Sequence, residues 1–138
     1  MTDNLFAYGT LMCDDIMQEV AGCALTGEPG TLRGFCRRGV KGEHYPALIP
    51  EADSCVDGIL YLDVPQAAWE RLDRFEGEMY FRRRVPIEPG GGKTVAAQTY
   101  IVKPGFMDLL KATEWDFSEF LRSGKARFQK RYKGYGAL

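Results

Sequence analysis

One amphipathic helix, at residues 63–77, stands among strand-like segments on both sides, and it narrows the folds open to this chain. Asp63 can cap it, Pro65 falls in the first turn where a missing N–H costs nothing, and Gln66 stands where a capping box takes Glu or Gln. Trp69, Leu72 and Phe75 then repeat at i, i+3 and i+6 as one apolar stripe, with Glu70, Arg71 and Arg74 off it. Gly77 suits a left-handed stop. Glu76 is thereby left at the helix C-terminus, where the macrodipole is negative and an anion is disfavoured. Its pKa should rise, which suits a general base working near neutral pH. A solvated helix-end glutamate is the plainer reading, and position alone favours it.

The flanking segments read as strands. Residues 5–8 form a short first strand that breaks at Gly9, and Gly9-Thr10-Leu11 leads into a short helix over 13–20 with Asp14 and Asp15 in its first turn. A strand, a glycine turn and a helix start present several N–H groups to one point, an arrangement that binds anions and oxyanions. It is equally an ordinary tight turn. Residues 21–31, rich in Gly, Thr and Pro, read as a loop with a short strand through Cys23-Ala24-Leu25. Strands follow at 31–40, with Gly34 as a bulge, at 45–50, confined to a sheet margin by Pro46 and Pro50, and at 56–62. Beyond the helix, 82–87 and 94–102 pair across the turn Pro89-Gly90-Gly91-Gly92. From Pro104 the pattern turns helical, over 115–122 and, past an interruption at Gly124, 126–133. There is no βαβ rhythm, so the fold class is α+β, with the strands curled into a barrel-like sheet. All 138 residues are read as a single domain.

The formal net charge of −1 gives no general case for nucleic acid or an anionic membrane as partner. No apolar run reaches the ~18 residues of a membrane span, and the N-terminal residues lack the basic lead and apolar run of a signal peptide. The expectation is a cytoplasmic protein. Cys13, Cys23, Cys36 and Cys55 form no CxxC pair and His44 is the lone histidine, which argues against structural zinc. The cysteines are expected to be buried thiols acting as small apolar residues. Lys125, Arg127, Lys130, Arg131 and Lys133 cluster around Phe128 and Tyr132. Such a stretch can be a charged binding surface, but more often is a terminal helix packing its aromatics on the core while its cations face water.

Other chemistries find little support. His44 has no partner for a Ser/His/Asp site, a cysteine nucleophile lacks a base, and Gly90-Gly91-Gly92-Lys93-Thr94 lacks phosphate-loop spacing and joins two strands. Glu76 and Glu78 lie two residues apart around a glycine and need not face each other as a glycosidase pair.

Phe6-Ala7-Tyr8-Gly9-Thr10-Leu11, Tyr45-Pro46-Ala47-Leu48, Val56-Asp57-Gly58-Ile59-Leu60-Tyr61, Leu72-Asp73-Arg74-Phe75-Glu76-Gly77 and Tyr80-Phe81-Arg82 occur in that order. Together they resemble the γ-glutamyl cyclotransferase-like superfamily, in the branch of γ-glutamylamine cyclotransferases and AIG2-like proteins. The resemblance spans about residues 5–102, and the tail from Trp115 to Tyr135 looks like the C-terminal extension of AIG2-like members.

The resemblance implies a small mixed β-barrel with flanking helices and a cavity at one end. It implies an acyltransferase or lyase that turns γ-glutamyl amines or peptides into 5-oxoproline and a free amine, without metal or organic cofactor. Carried over by motif, Glu76 is the general acid/base, and Tyr8, Gly9, Thr10 and Leu11 hold the γ-glutamyl group through backbone N–H donors. Tyr45, Tyr80 and Arg82 match substrate-binding positions near the cavity. The loop amides are open to two roles, serving the oxyanion or the substrate's α-carboxylate. A non-catalytic module binding a γ-glutamyl or other small acidic metabolite is the alternative, although a carboxylate in the cavity gives such a binder little. Leaving amine and oligomeric state are left open by the sequence.

Overall fold

The structure is a computed structural model that describes residues 2–131. Five strands close into a barrel: β1 (Thr2–Ala7), β2 (Thr26–Val40), β3 (Pro46–Pro65), β4 (Tyr80–Pro89) and β5 (Val95–Val102). Around the ring the order is β3-β1-β5-β4-β2, and β2 closes it by pairing with β3. β1 and β5 run parallel, with Leu5 opposite Gln98, and the other pairings are antiparallel. The sixth strand, β6 (Leu110–Glu114), hangs on the outer edge of β2, with Arg38 opposite Glu114. This is the α+β mixed barrel that the strand pattern and the resemblance call for.

Period-two alternation divides the apolar residues into two cores. One face of the strands, through Phe6, Leu32, Leu60, Val85, Ile87 and Ile101, fills the barrel. The other face, through Leu5, Ala7, Tyr61, Tyr80, Tyr100 and Val102, is covered by helices on the outside. Those helices are α1 (Asp14–Ala21) and α2 (Gln66–Glu76), joined by a C-terminal run of α3 (Phe117–Glu119), a π turn (Phe120–Gly124) and α4 (Lys125–Arg131). α1 buries Ile16, Met17 and Val20 there, and α2 buries Ala68, Trp69 and Leu72. Each of the larger side chains contributes about 1.5–3 kcal/mol of transfer free energy.

Several expectations need correction. Residues 26–30 lie inside β2 rather than in a loop, because their backbone pairs with β3 from Thr26↔Leu62 to Gly30↔Gly58; ladder pairing outweighs the low strand propensity of Gly and Pro. Cys23-Ala24-Leu25 form no strand. Asp63 does not cap α2. It sits within β3 at φ 54°, its N–H held by Asn4 Oδ1 at 3.0 Å, and the helix begins three residues later behind Pro65 with no side-chain cap. β6 was not foreseen at all, and Gly124 does not interrupt the C-terminal helix, since the π turn carries the chain through it. The bulge at Gly34 is present, as a register shift between Arg33 and Phe35.

Burial holds for Cys13 alone among the cysteines; Cys23 and Cys36 are half-buried and Cys55 is exposed, since Val56 takes the inward place on β3. Phe120 and Phe128 are buried, as expected of a terminal helix packing its aromatics inward, while Arg127 faces solvent and Lys125 pairs with Asp15 of α1 at 3.1 Å. The side chains of Lys130 and Arg131, and residues Tyr132 to Tyr135 with Lys133, lie outside the described residues. Among the described residues no helix is long and apolar enough to cross a membrane, and no cluster of three His, Cys, Asp or Glu stands ready for a metal.

Candidate functional site

β1 ends at Ala7, and the chain turns through Tyr8 and Gly9 into a 3-10 turn, Thr10–Met12, ahead of α1. Gly9 is needed for steric reasons: a Cβ there would lie 2.8 Å from both Cγ and Cδ of Pro46. The turn is tied from three sides. Met12 N–H donates to Gly9 O at 3.0 Å, Tyr61 donates its hydroxyl to Leu11 O at 2.8 Å, and Arg37 Nη1 donates to Tyr8 O at 2.8 Å. The first N–H groups of such a turn have no partner within it. Gly9, Thr10 and Leu11 line a cavity of about 90 Å³ between the barrel wall and the helices.

The same cavity is lined by Glu76, the last residue of α2. Gly77 ends the helix with its N–H returning to Asp73 O; its φ of 75° is positive, but its ψ of −160° is extended, so the stop is not the left-handed one expected. The residue Glu76 keeps some exposure, but protein surrounds its carboxyl group, and that desolvation pushes its pKa from an ordinary 4.5 up to about 8. The charge of Asp73 one turn earlier adds to the rise. Burial, rather than the helix end invoked from sequence, is the main cause. Glu76 is also the one formally chargeable acid or base other than tyrosine among the described residues lining the cavity.

Tyr8, Gly9, Thr10, Leu11, Tyr45, Tyr80 and Glu76 are all brought to this one cavity. The Tyr8 phenol lies in the barrel core and donates to Tyr100 O at 2.8 Å; burial, then the charge of Glu76, holds its pKa well above the ordinary value. Tyr80 donates to Pro46 O at 2.8 Å, fastening β4 to the margin of β3. Arg82 does not line the cavity. Its Nε pairs with Asp73 at 3.1 Å and its guanidinium lies 4.6 Å over the Trp69 ring: two residues further along the face of β4 that Tyr80 shares, it meets α2 instead of the cavity. Glu78 is exposed and takes no part.

Phe75, Tyr100 and Phe128 also line the cavity, and Asp73 lies one helical turn before Glu76; the sequence pattern marked none of the four for the site. Asp73 precedes Glu76 by one helical turn and shares its side of α2, a spacing readable from Leu72-Asp73-Arg74-Phe75-Glu76. Tyr100 faces Arg82 across the β4–β5 hairpin, and its hydroxyl reaches Asp73 at 2.7 Å. Phe128 enters from α4, where no local pattern marks it as anything but core.

Residues 5–117 match the family described as Gamma-glutamyl cyclotransferase, AIG2-like. AIG2-like protein A of Arabidopsis thaliana is 30% identical over 132 residues, covering 94% of this chain and 79% of that protein. The solution structure of an Arabidopsis thaliana protein matches with a TM-score of 0.69 at 29% identity, over 95% of this chain and 88% of the other. A structure titled Gamma-glutamyl cyclotransferase shares the fold, with a TM-score of 0.64 at 16% identity over 75% of this chain and 68% of that one.

Proposed function

We propose that this chain, which belongs to the Gamma-glutamyl cyclotransferase, AIG2-like family, is an enzyme that releases 5-oxoproline and a free amine from a γ-glutamyl amide. The observation that carries the reading is the enclosed Glu76 carboxyl, its pKa near 8, in the same cavity as the Gly9–Leu11 turn. In this reading the substrate's α-amine attacks its own γ-carbonyl and closes a five-membered ring. The nucleophile is tethered, so much of the positioning is already done within the substrate.

Proton traffic then decides the rate. Two protons leave the attacking nitrogen, which enters as an ammonium and ends as a lactam N–H. Two arrive on the departing amine, which leaves as an ammonium when the C–N bond breaks. Glu76 is the group that takes and returns them. Free Glu76 is largely protonated near neutral pH, and a bound α-ammonium beside it favours the carboxylate, returning it to duty as a base. Such proton transfer is worth about 10²–10⁴ in rate. The N–H groups of the turn, held in place by Tyr61 and Arg37, serve the oxyanion or the α-carboxylate.

The test is Glu76→Gln, a near-isostere that cannot shuttle the proton. It should keep the wild-type circular dichroism spectrum and lose 5-oxoproline release by at least about a hundredfold. Substantial turnover in that variant removes Glu76 from the role. Binding of γ-glutamyl amides by the wild-type chain, with no product at any pH, makes it a binding module instead.

A further inference from the structure

We infer that the amine released by this site is apolar and uncharged over the part held in the pocket, with Phe75 and Phe128 as the wall that selects it. The inference rests on the reaction proposed above and names the substrate class it serves.

A γ-glutamyl substrate brings an α-ammonium and an α-carboxylate of its own. The Glu76 carboxyl and the amides of the 9–11 turn answer those two charges. The rest of the described lining is apolar or aromatic, Leu11, Tyr45, Phe75, Met79, Tyr80 and Phe128 among it. None of these side chains carries a formal charge at neutral pH. Charged side chains in contact with residues that line the cavity or flank them have partners of their own. Arg82 and Asp73 pair with each other at 3.1 Å, and Arg37 donates to Tyr8 O and lies 5.3 Å over the Trp115 ring. Among the described residues that line the cavity, an ammonium or carboxylate on the leaving amine would find no opposite charge on this side to meet it, and desolvating it is far costlier than seating a hydrocarbon. An aromatic or aliphatic group gains contact instead.

The wall is also firmly backed. Phe75 meets Phe128 edge-on with ring centroids 6.2 Å apart, and Phe128 meets Phe120 edge-on at 5.9 Å. α4 is held against α1 by Lys125 and Gln129, both on Asp15. Edge-to-face aromatic contacts favour a further ring entering the same array.

The experiment uses the full chain and four γ-L-glutamyl amides, those of phenethylamine, methylamine, the ε-amine of lysine, and glycine, with 5-oxoproline as the readout. The phenethylamide should exceed both the lysine and the glycine conjugates by at least about tenfold in kcat/KM. Equal or faster turnover of either charged conjugate overturns the inference while leaving the cyclotransferase reading intact. Release from none of the four overturns both. Phe128→Leu and Phe128→Ala should progressively lower the ratio of phenethylamide to methylamide turnover, severalfold in the alanine variant. A ratio cancels differences in the fraction of folded protein, so one that stays fixed in both variants overturns the role of the wall.

Discussion

Tyr100 of β5 donates its hydroxyl to Asp73 of α2 at 2.7 Å, tying the barrel wall to the helix one turn before Glu76. Arg82 takes the same Asp73 oxygen at 3.1 Å. Asp73 is thus held in place, close enough that its charge adds to the rise in the Glu76 pKa. The hairpin that bears Arg82 and Tyr100 is a support for α2, and through α2 for the acid.

Removing that charge should move the pH dependence. Glu76 must be ionised to accept a proton, so activity rises with pH through its pKa, about 8 in the free protein. Asp73→Asn removes a like charge, which lowers the Glu76 pKa, and the rise in kcat/KM should shift to lower pH. A pH–rate profile reads this directly. A rise that stays in place separates Asp73 from the tuning of Glu76.

Glu76 also gives stability a pH dependence whose sign is fixed. In the unfolded chain it ionises near its ordinary 4.5, and in the folded protein only near 8. Between those values the unfolded state binds fewer protons than the folded one, so the folded state loses stability as pH rises through the window. The full cost, on the order of a few kcal/mol, is present above pH 8 and vanishes below pH 4.5. Glu76→Gln should therefore raise the melting temperature most at pH 8.5 and least at pH 4.5. Thermal unfolding of both proteins at the two pH values is the measurement.

The residues that local rules describe were the legible ones. The stripe Trp69, Leu72, Phe75, the stop at Gly77 and the break at Gly9 depend on neighbours in sequence, and each stands where those rules put it. Glu76 was singled out by its place in a motif, but burial as the main cause of its raised pKa was not legible there. Helix position was visible, whereas burial depends on how the carboxyl is enclosed in the folded chain. Residues 26–30 and β6 were missed for the same reason, since Gly and Pro in one and a short polar run in the other become strands through pairing with β3 and β2. Arg82 was misplaced because a motif gives the order of residues but not how far along a strand the cavity reaches: Tyr80 on the same face lines it, and Arg82 meets α2.

Gly9 separates shape from chemistry. Gly9→Ala places a methyl group 2.8 Å from two Pro46 carbons, so the turn and the margin of β3 must part by several tenths of an ångström. Overpacking of this kind costs about 1–3 kcal/mol. The larger effect falls on the amides facing the cavity, where a shift of this size weakens every hydrogen bond to substrate. kcat/KM should fall about a hundredfold while the protein still folds, as checked by assay and denaturant unfolding.

Arg37 tests whether the turn is held from behind. Its side chain is only 12% exposed, Nη1 donates to Tyr8 O at 2.8 Å, and Nε is buried without a partner among the described residues. Because the Tyr8–Gly9 peptide is trans, the Gly9 N–H points away from the guanidinium, and a cation on the carbonyl side polarises that N–H as a donor. Arg37→Met keeps the apolar contact with Trp115 but removes the charge. The Tyr8 carbonyl then loses a donor, at about 1–3 kcal/mol, while the desolvation of a partly unsatisfied buried cation is relieved. The two effects oppose each other, so stability should stay within about 1 kcal/mol of wild type. Activity has no such offset: the turn loses both its tie and the polarisation of its first amide. KM for a γ-glutamyl amide should rise about tenfold, a change worth 1.4 kcal/mol in binding. A large loss of stability with unchanged KM would assign Arg37 to the fold rather than to the turn.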